Sequence, residues 1–345
     1  MSKKEIRNGL GELYEKHTTV IDTFTKRTRD EKEYKDVYYC LRENRITFYY
    51  KGRELLTLLN DNDQLKIKLR NLSAPSQNSQ RKEELEKINA KYIEDVNSIE
   101  YKRIKPEFIL KNNKKEFQPL DITNYSTKKL SYKSLSQKLF DAGKTFLDSY
   151  YKGKEDLELP TQGKYCAKYK ELLNDFIVID MEYVEPQDES NETEENEKMA
   201  IGGRYDMLAL QKMKNNKYKL IFIELKCNKS AIVNEKTGVI QHIEDMSAYV
   251  KNGLSDEFKN MVTNVVEKRK EYGRRGSKSD SDIIDIDFTN PEIWILFDMQ
   301  QKEKQVQTEE EIKKLLPKLQ TSNAKFFWGD IEHNKKIEEI KGEQI

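Results

Sequence analysis

The sequence has few of the residues from which disulfide frameworks and histidine-rich metal sites are built. Only three cysteines and three histidines occur among its 345 residues. The cysteines are Cys40, Cys166 and Cys227, and the histidines are equally scattered. This scatter provides no zinc-ligand spacing, disfavours a Ser-His-Asp hydrolase, and is typical of a reducing compartment such as the cytoplasm. A metal ion, if the protein uses one, would therefore be held by carboxylates.

Long apolar segments, proline and glycine are also scarce. The densest apolar run, from Leu220 to Leu225, is interrupted by Glu224 and is far shorter than the ~20 residues needed to span a bilayer. The first residues are polar, which predicts no secretory signal and no membrane partner. Seven prolines and 14 glycines exclude collagen-like and proline-rich architectures.

Charged residues are abundant, but the two signs nearly cancel. The chain has 62 Lys and Arg against 61 Asp and Glu, which leaves a formal charge of +1. Binding to nucleic acid would therefore need a local basic surface rather than the charge of the whole protein. Tyr and Phe are frequent, at 19 and 13 residues. They supply enough apolar area to argue for a folded core rather than a disordered polyelectrolyte.

The periodicity of the chain predicts an α/β protein with two domains. Residues 1–130 are expected to form an N-terminal α+β domain for recognition or assembly, although residues 100–130 show no clear period. Residues 131–345 are expected to form the second domain. Its predicted order is a helix at 162–176, strands at 176–184, 204–210 and 218–226, helices at 239–252 and 255–272, and a strand at 293–297 after Pro291.

Two acids and a lysine at strand ends are the strongest chemical signal. Glu224, Leu225 and Lys226 end the nearly continuous apolar strand that begins at Tyr218. Alternation along a strand places Glu224 and Lys226 on one face. Because strands joined by a short turn usually pair, Asp206 on the preceding strand is expected beside Glu224. Two adjacent carboxylates repel unless a cation lies between them, and oxygen ligands favour Mg²⁺ or Mn²⁺.

The Glu-x-Lys spacing has little specificity by itself, since it recurs elsewhere in polar and helical segments. Glu224 and Lys226 differ because they end an apolar strand, where an unpaired charge is costly. The alternative is that Lys226 emerges beyond the strand end and Glu224 forms a salt bridge with Arg204 or Lys219.

Residues 162–299 resemble the PD-(D/E)xK nuclease superfamily. Its motif is an acid on the second core strand followed by (Asp/Glu)-x-Lys on the third, matched here by Asp206 and by Glu224-Leu225-Lys226. The resemblance implies a restriction-endonuclease-like mixed sheet flanked by helices. It also implies that Asp206, Glu224 and the backbone carbonyl of Leu225 bind Mg²⁺, with Lys226 as the catalytic lysine.

Two further positions have family counterparts. Several subgroups place a glutamine on the following helix with a tyrosine nearby, and Gln241 occupies that place as a candidate catalytic residue. Tyr249 lies further along than the usual spacing, and Gln241 is equally compatible with an ordinary exposed position. Many members also have an acid on the first core helix. Glu171 is the candidate here, although a solvent-facing glutamate is the favoured interpretation.

A basic stretch with interleaved Tyr272, Gly273 and Gly276 follows the second helix of this region. Phosphate contacts need such a cationic surface, although a charged helix end with an exposed loop is the favoured interpretation. The candidate nucleic-acid-binding residues are Lys268, Arg269, Lys270, Arg274, Arg275 and Lys278.

The sequence thus leads to an expected function, a metal-dependent endonuclease. The resemblance favours DNA as the substrate, and a role in defence against phage or plasmids is a fold-level analogy. Two alternatives stay open: a catalytically inactive nucleic-acid-binding or assembly module with the same fold, and a metal-dependent RNase. A homo-oligomer or a partner protein is compatible with each of these.

Overall fold

The computed structural model describes most of the chain. The described residues are 13–42, 45–61, 64–70, 79–97, 108–111, 114–117, 120–121, 131–152, 158–171, 175–184, 204–214, 217–227, 239–274, 285–299, 309–313, 324–333 and 335–340. No helix within these ranges is long and apolar enough to cross a lipid bilayer. The chain divides near residue 155 into two compact units of mixed helix and sheet, except that residues 268–274, the end of a later helix, group with the N-terminal unit.

The N-terminal unit combines helices with a five-stranded sheet of order β1-β2-β3-β4-β7, and β5 and β6 form a separate hairpin. Lys51 and Gly52 both have positive φ, at 50° and 70°. That conformation is typical of a tight two-residue hairpin turn, which here joins β2 to β3. The elements are α1 (Leu13–Asp30), a 3₁₀ turn (Lys32–Tyr34), β1 (Tyr38–Arg42), β2 (Arg45–Tyr50), β3 (Arg53–Asp61), β4 (Gln64–Leu69), α2 (Ser79–Asn97), β5 (Phe108–Lys111), β6 (Lys114–Phe117), β7 (Leu120–Asp121) and α3 (Tyr132–Tyr151).

Aromatic side chains join the sheet of this unit to its helices. Phe140 of α3 packs edge-on against Phe24 of α1, with 5.8 Å between ring centroids, and lies 5.3 Å from Phe48 of β2. All three rings are fully buried. Because α3 takes part in this core, it groups with the N-terminal unit. The predicted boundary at residue 130 and the structural division near 155 therefore differ by the length of α3.

The C-terminal unit is built on a six-stranded mixed sheet of order β13-β12-β11-β10-β9-β8. Strands β8, β9 and β10 are antiparallel neighbours, whereas β10, β11 and β12 run parallel to one another. The elements are α4 (Glu158–Lys168), β8 (Phe176–Val184), β9 (Arg204–Lys212), β10 (Tyr218–Lys226), α5 (Val239–Lys251), α6 (Asp256–Arg274), β11 (Ile286–Phe297), β12 (Ala324–Trp328) and β13 (Glu338–Glu339).

Strand β10 lies in the interior of this sheet, between β9 and β11. Its continuous apolar run agrees with this position, since both faces of a central strand are covered. Strand β11 begins at Ile286, seven residues before the predicted start. Pro291 lies where the register of β10 and β11 shifts, and such an irregularity tolerates a residue without an amide hydrogen.

Candidate active site

Asp206 and Glu224 lie on adjacent antiparallel strands, as the short turn between the strands predicts. The last registered pair joins Ile223 of β10 to Met207 of β9. The Oδ2 atom of Asp206 accepts a hydrogen bond of 2.7 Å from the backbone N–H of Leu225. The Asp206 carboxylate is therefore held against the backbone that links Glu224 to Lys226.

Glu224 and Lys226 form a buried ion pair at the end of β10. The Lys226 Nζ atom lies 2.5 Å from Glu224 Oε1, and the two residues are only 4% and 3% exposed. Burial alone would lower the pKa of Lys226, but Glu224, Glu158 and Asp206 outweigh it and raise the pKa. The lysine is therefore a buried ammonium rather than a side chain that emerges into solvent.

The salt bridges of neighbouring residues agree with this arrangement. Lys219, the alternative partner considered for Glu224, instead contacts Glu292 of β11 at 2.8 Å. The side chain of Arg204, the other alternative, lies outside the described residues. Glu224 therefore takes its positive partner from its own strand.

Glu158 is a third acid at this site, and it was not among the residues predicted from the sequence. Burial raises the pKa of Glu158, the Lys226 charge opposes that shift and Asp206 adds to it, while the Cys227 N–H donates a hydrogen bond to its carboxylate. Glu171, the predicted helix acid, is exposed beyond the end of α4. The predicted helix began at residue 162, which left Glu158 outside it. Pro160 was the available signal, because proline is frequent in the first turn of a helix.

Gln162 connects α4 to the strand that carries Asp206. Its side-chain amide donates to the backbone carbonyl of Asp206, and the residue is only 3% exposed. One turn earlier on the same helix lies Glu158, next to the end of β10. Helix α4 therefore holds both strand ends of the site.

On α5 the structure brings His242 rather than Gln241 to Glu224. The Gln241 amide donates to Asp245 Oδ1 at 2.7 Å, which is a contact along the same helix face. His242 Nδ1 lies 3.3 Å from Glu224 Oε1. The buried residues of α5 include Val239, Ile243 and Met246. His242 is at helical spacing with this stripe, whereas Gln241 is not.

The basic stretch is only partly described. Arg269 is 6% exposed, and its guanidinium lies 5.8 Å from the ring centroid of Tyr39, so this predicted phosphate contact is a packed side chain. Lys268 and Lys270 are half-buried. Arg274 is the last residue of α6, and its side chain lies outside the described residues. Arg275 and Lys278 also lie outside them.

The donor set at the end of β10 consists of oxygen atoms. Among the described residues, no three His, Cys, Asp or Glu side chains are placed together as a metal-binding group. Asp206 and Glu224 nevertheless flank one backbone amide, with Glu158 nearby, and carboxylate oxygens are the ligands that Mg²⁺ and Mn²⁺ prefer. The chemistry of these donors fits such a cation, with Lys226 as the positive partner of Glu224 when no cation is bound.

The raised pKa of Glu158 leads to a prediction about stability. Between the unfolded and folded pKa values the folded state binds more protons, so its stability falls as pH rises through that interval. We expect Glu158→Gln, which cannot ionise, to be more stable than the wild-type protein at neutral pH. This advantage should shrink as the pH falls toward 4, because the carboxyl group becomes increasingly protonated in the unfolded state as well as in the folded state.

Urea unfolding of both proteins between pH 4 and pH 8, in the presence of EDTA, measures the difference. A wild-type protein that is the more stable of the two at pH 7 would contradict the assigned environment of Glu158. So would an advantage of the variant that does not change with pH.

Comparison of the chain with protein-family models, with curated proteins and with solved structures found no match. The function of the protein must therefore be inferred from the residues of the site and from the resemblance of their motif.

Proposed function

We propose that the protein is a divalent-metal-dependent nuclease whose active site contains Asp206, Glu224 and Lys226. The observation that carries the proposal is the buried Glu224–Lys226 pair beside Asp206, at the end of a central strand. Buried charges are costly, so such a cluster at a strand end is a candidate functional site rather than a set of solvated surface charges. The order of α4, three antiparallel strands, two helices and a parallel strand supports a restriction-endonuclease-like assignment of the C-terminal unit.

In this proposal Asp206 and Glu224, together with the carbonyl of Leu225, would hold Mg²⁺ or Mn²⁺. When bound, such an ion activates a water molecule and stabilises the charge that develops on a phosphodiester. The ion would also replace Lys226 as the positive partner of Glu224. Glu158 adds negative charge next to Asp206 and Lys226, and this charge would strengthen the attraction of the site for a cation.

Lys226 has the role of stabilising charge in the transition state. Its raised pKa keeps the side chain positively charged at neutral pH. An ammonium group that is fixed before the reaction can orient the attacking water or stabilise the negative oxygens of the phosphate. Gln162 and the Leu225 N–H position Asp206 through its backbone and its carboxylate, respectively.

One observation favours a different function, a non-catalytic nucleic-acid-binding or assembly module. Glu224 already has a direct ionic partner in Lys226, and the described residues contain no preformed group of three metal ligands among His, Cys, Asp and Glu. A protein that had lost catalysis could keep the pair to stabilise its fold. The module and the nuclease differ in whether phosphodiester bonds are cleaved.

The experiment that separates the two functions is a cleavage assay with three substrates: double-stranded DNA, single-stranded DNA and RNA. Each is incubated with the wild-type protein in Mg²⁺, Mn²⁺ or EDTA, with Glu224→Gln as the matched control. The proposal predicts cleavage that needs a divalent cation and is lost in the control. We favour DNA as the substrate, and a role in the cytoplasm as a defence against phage or plasmids. Cleavage of RNA alone would instead identify an RNase. Cleavage in EDTA, or equal cleavage by the control, would contradict the assignment.

A further prediction concerns Arg274, the last residue of α6, and Arg275, which lies outside the described residues. If both contact phosphates, reversing them to glutamate should weaken binding to DNA. It should also reduce the magnitude of the slope of log K against log salt concentration by about two, because two fewer counterions are released. The measurement is DNA binding in Ca²⁺ at several salt concentrations.

The control for this double variant is Lys87→Glu with Lys91→Glu, which changes the net charge equally on the exposed face of α2. If the Arg274 and Arg275 variant retains the wild-type salt slope, the segment is an ordinary charged helix end and loop.

A further inference from the structure

Helix α5 brings one polar side chain to the acid of β10. His242 Nδ1 is 3.3 Å from Glu224 Oε1, and the histidine side chain is only 22% exposed. The same oxygen is contacted by the Lys226 ammonium at 2.5 Å. The described contacts to Glu224 Oε1 thus include one group on its own strand and one on a helix that packs over the sheet.

The chemistry of the histidine and the carboxylate determines which of them can act as the donor. An ionised carboxylate only accepts hydrogen bonds, so the imidazole must carry a proton on Nδ1 to bond with Oε1. In a neutral ring this fixes the tautomer. When Lys226 leaves Glu224, a second donor helps to keep the carboxylate in place, and His242 is placed to do so.

Building on the proposed function, we infer that His242 is a positioning residue for Glu224. It holds the carboxylate from α5 while the positive charge of Lys226 is used elsewhere in the reaction. Groups that orient a metal-binding carboxylate usually matter for affinity, and their loss typically costs 10–100-fold in metal affinity or activity. His242 therefore contributes to cation binding although it is not itself a ligand.

Two amide side chains separate this role from simple packing. Asparagine places its amide nitrogen near the position of histidine Nδ1, whereas the longer glutamine side chain places it near Nε2. We therefore expect His242→Asn to keep a donor beside Glu224 Oε1 and His242→Gln to lose it. His242→Leu removes the donor but keeps a side chain of similar bulk.

The inference is tested by measuring the binding of Mn²⁺ in the absence of nucleic acid. The amount of free Mn²⁺ is monitored through its electron paramagnetic resonance signal. The expected result is affinity within about threefold of wild type for His242→Asn and an affinity roughly 10–100-fold weaker for His242→Gln and His242→Leu. Single-turnover cleavage in saturating Mn²⁺ is measured in parallel. If His242→Leu does not fold, the asparagine and glutamine variants still decide the question.

Equal Mn²⁺ affinity for the asparagine and glutamine variants would overturn the role of His242, and so would wild-type affinity in His242→Leu. Either result leaves the proposed nuclease intact, provided that the wild-type protein binds Mn²⁺ and cleaves nucleic acid. A wild-type protein that neither binds Mn²⁺ nor cleaves would instead overturn the proposed function, and the inference with it.

Discussion

Asp206→Asn and Glu224→Gln are each expected to reduce Mg²⁺-dependent cleavage by at least ~100-fold, the scale of losing one preorganised electrostatic group. Each substitution removes a negative charge from the proposed cation site and keeps the size of the side chain. The amide variants are preferable to alanine at Glu224 because the site is buried. An alanine there would leave a cavity next to the Lys226 ammonium. Single-turnover cleavage at saturating protein measures the effect.

The control for both variants is Glu292→Gln in β11. Glu292 is also a largely buried carboxylate, and it is held by Lys219, Lys325 and the indole N–H of Trp294. These contacts hold the pKa of Glu292 below its usual range despite its burial, so its removal should cost stability. We expect it to lower the melting temperature and to leave cleavage unchanged. Wild-type cleavage by Asp206→Asn or Glu224→Gln would show that the carboxylates of this site do not carry the reaction.

Lys226→Met is expected to lower both the rate of cleavage and the stability of the protein by a large amount. Cleavage should fall by at least ~100-fold, because the variant lacks the ammonium that stabilises the transition state. Substrate affinity should change little, since this charge acts mainly on the charge that develops during the reaction. Stability should fall by about 3–5 kcal/mol, since Glu224 would keep a buried negative charge without its main partner.

A double variant distinguishes the catalytic contribution of Lys226 from its structural one. Lys226→Met combined with Glu224→Gln removes both buried charges, so most of the lost stability should return while cleavage stays absent. If Lys226→Met cleaves at the wild-type rate and is merely less stable, Lys226 is a structural partner of Glu224. The catalytic assignment of this lysine would then be wrong.

The sequence was most informative where a local rule determines the outcome. The apolar run from Tyr218 predicted a central strand, and the short turn after β9 predicted the antiparallel pairing that brings Asp206 to Glu224. Alternation predicted that Glu224 and Lys226 share a face, and the two side chains form an ion pair. Each of these predictions depends only on neighbours along one or two strands.

The remaining parts of the site depend on how helices pack, which local patterns do not determine. Glu158 was missed because the start of α4 was placed four residues too late. His242 was overlooked because Gln241 matched a family position, although the buried stripe of Val239, Ile243 and Met246 indicates which face of α5 meets the sheet. A lone histidine beside an apolar stripe becomes informative only when the acid opposite it is known.

The central claim is that Asp206 and Glu224 together hold a divalent cation. Titration calorimetry with Mn²⁺ tests it most directly, using the wild-type protein and the Asp206→Asn, Glu224→Gln double variant, with Glu292→Gln as the control. We predict saturable binding of Mn²⁺ by the wild-type protein and the control, and none by the double variant. Equal binding by the double variant, or no binding by a folded wild-type protein, would contradict the claim.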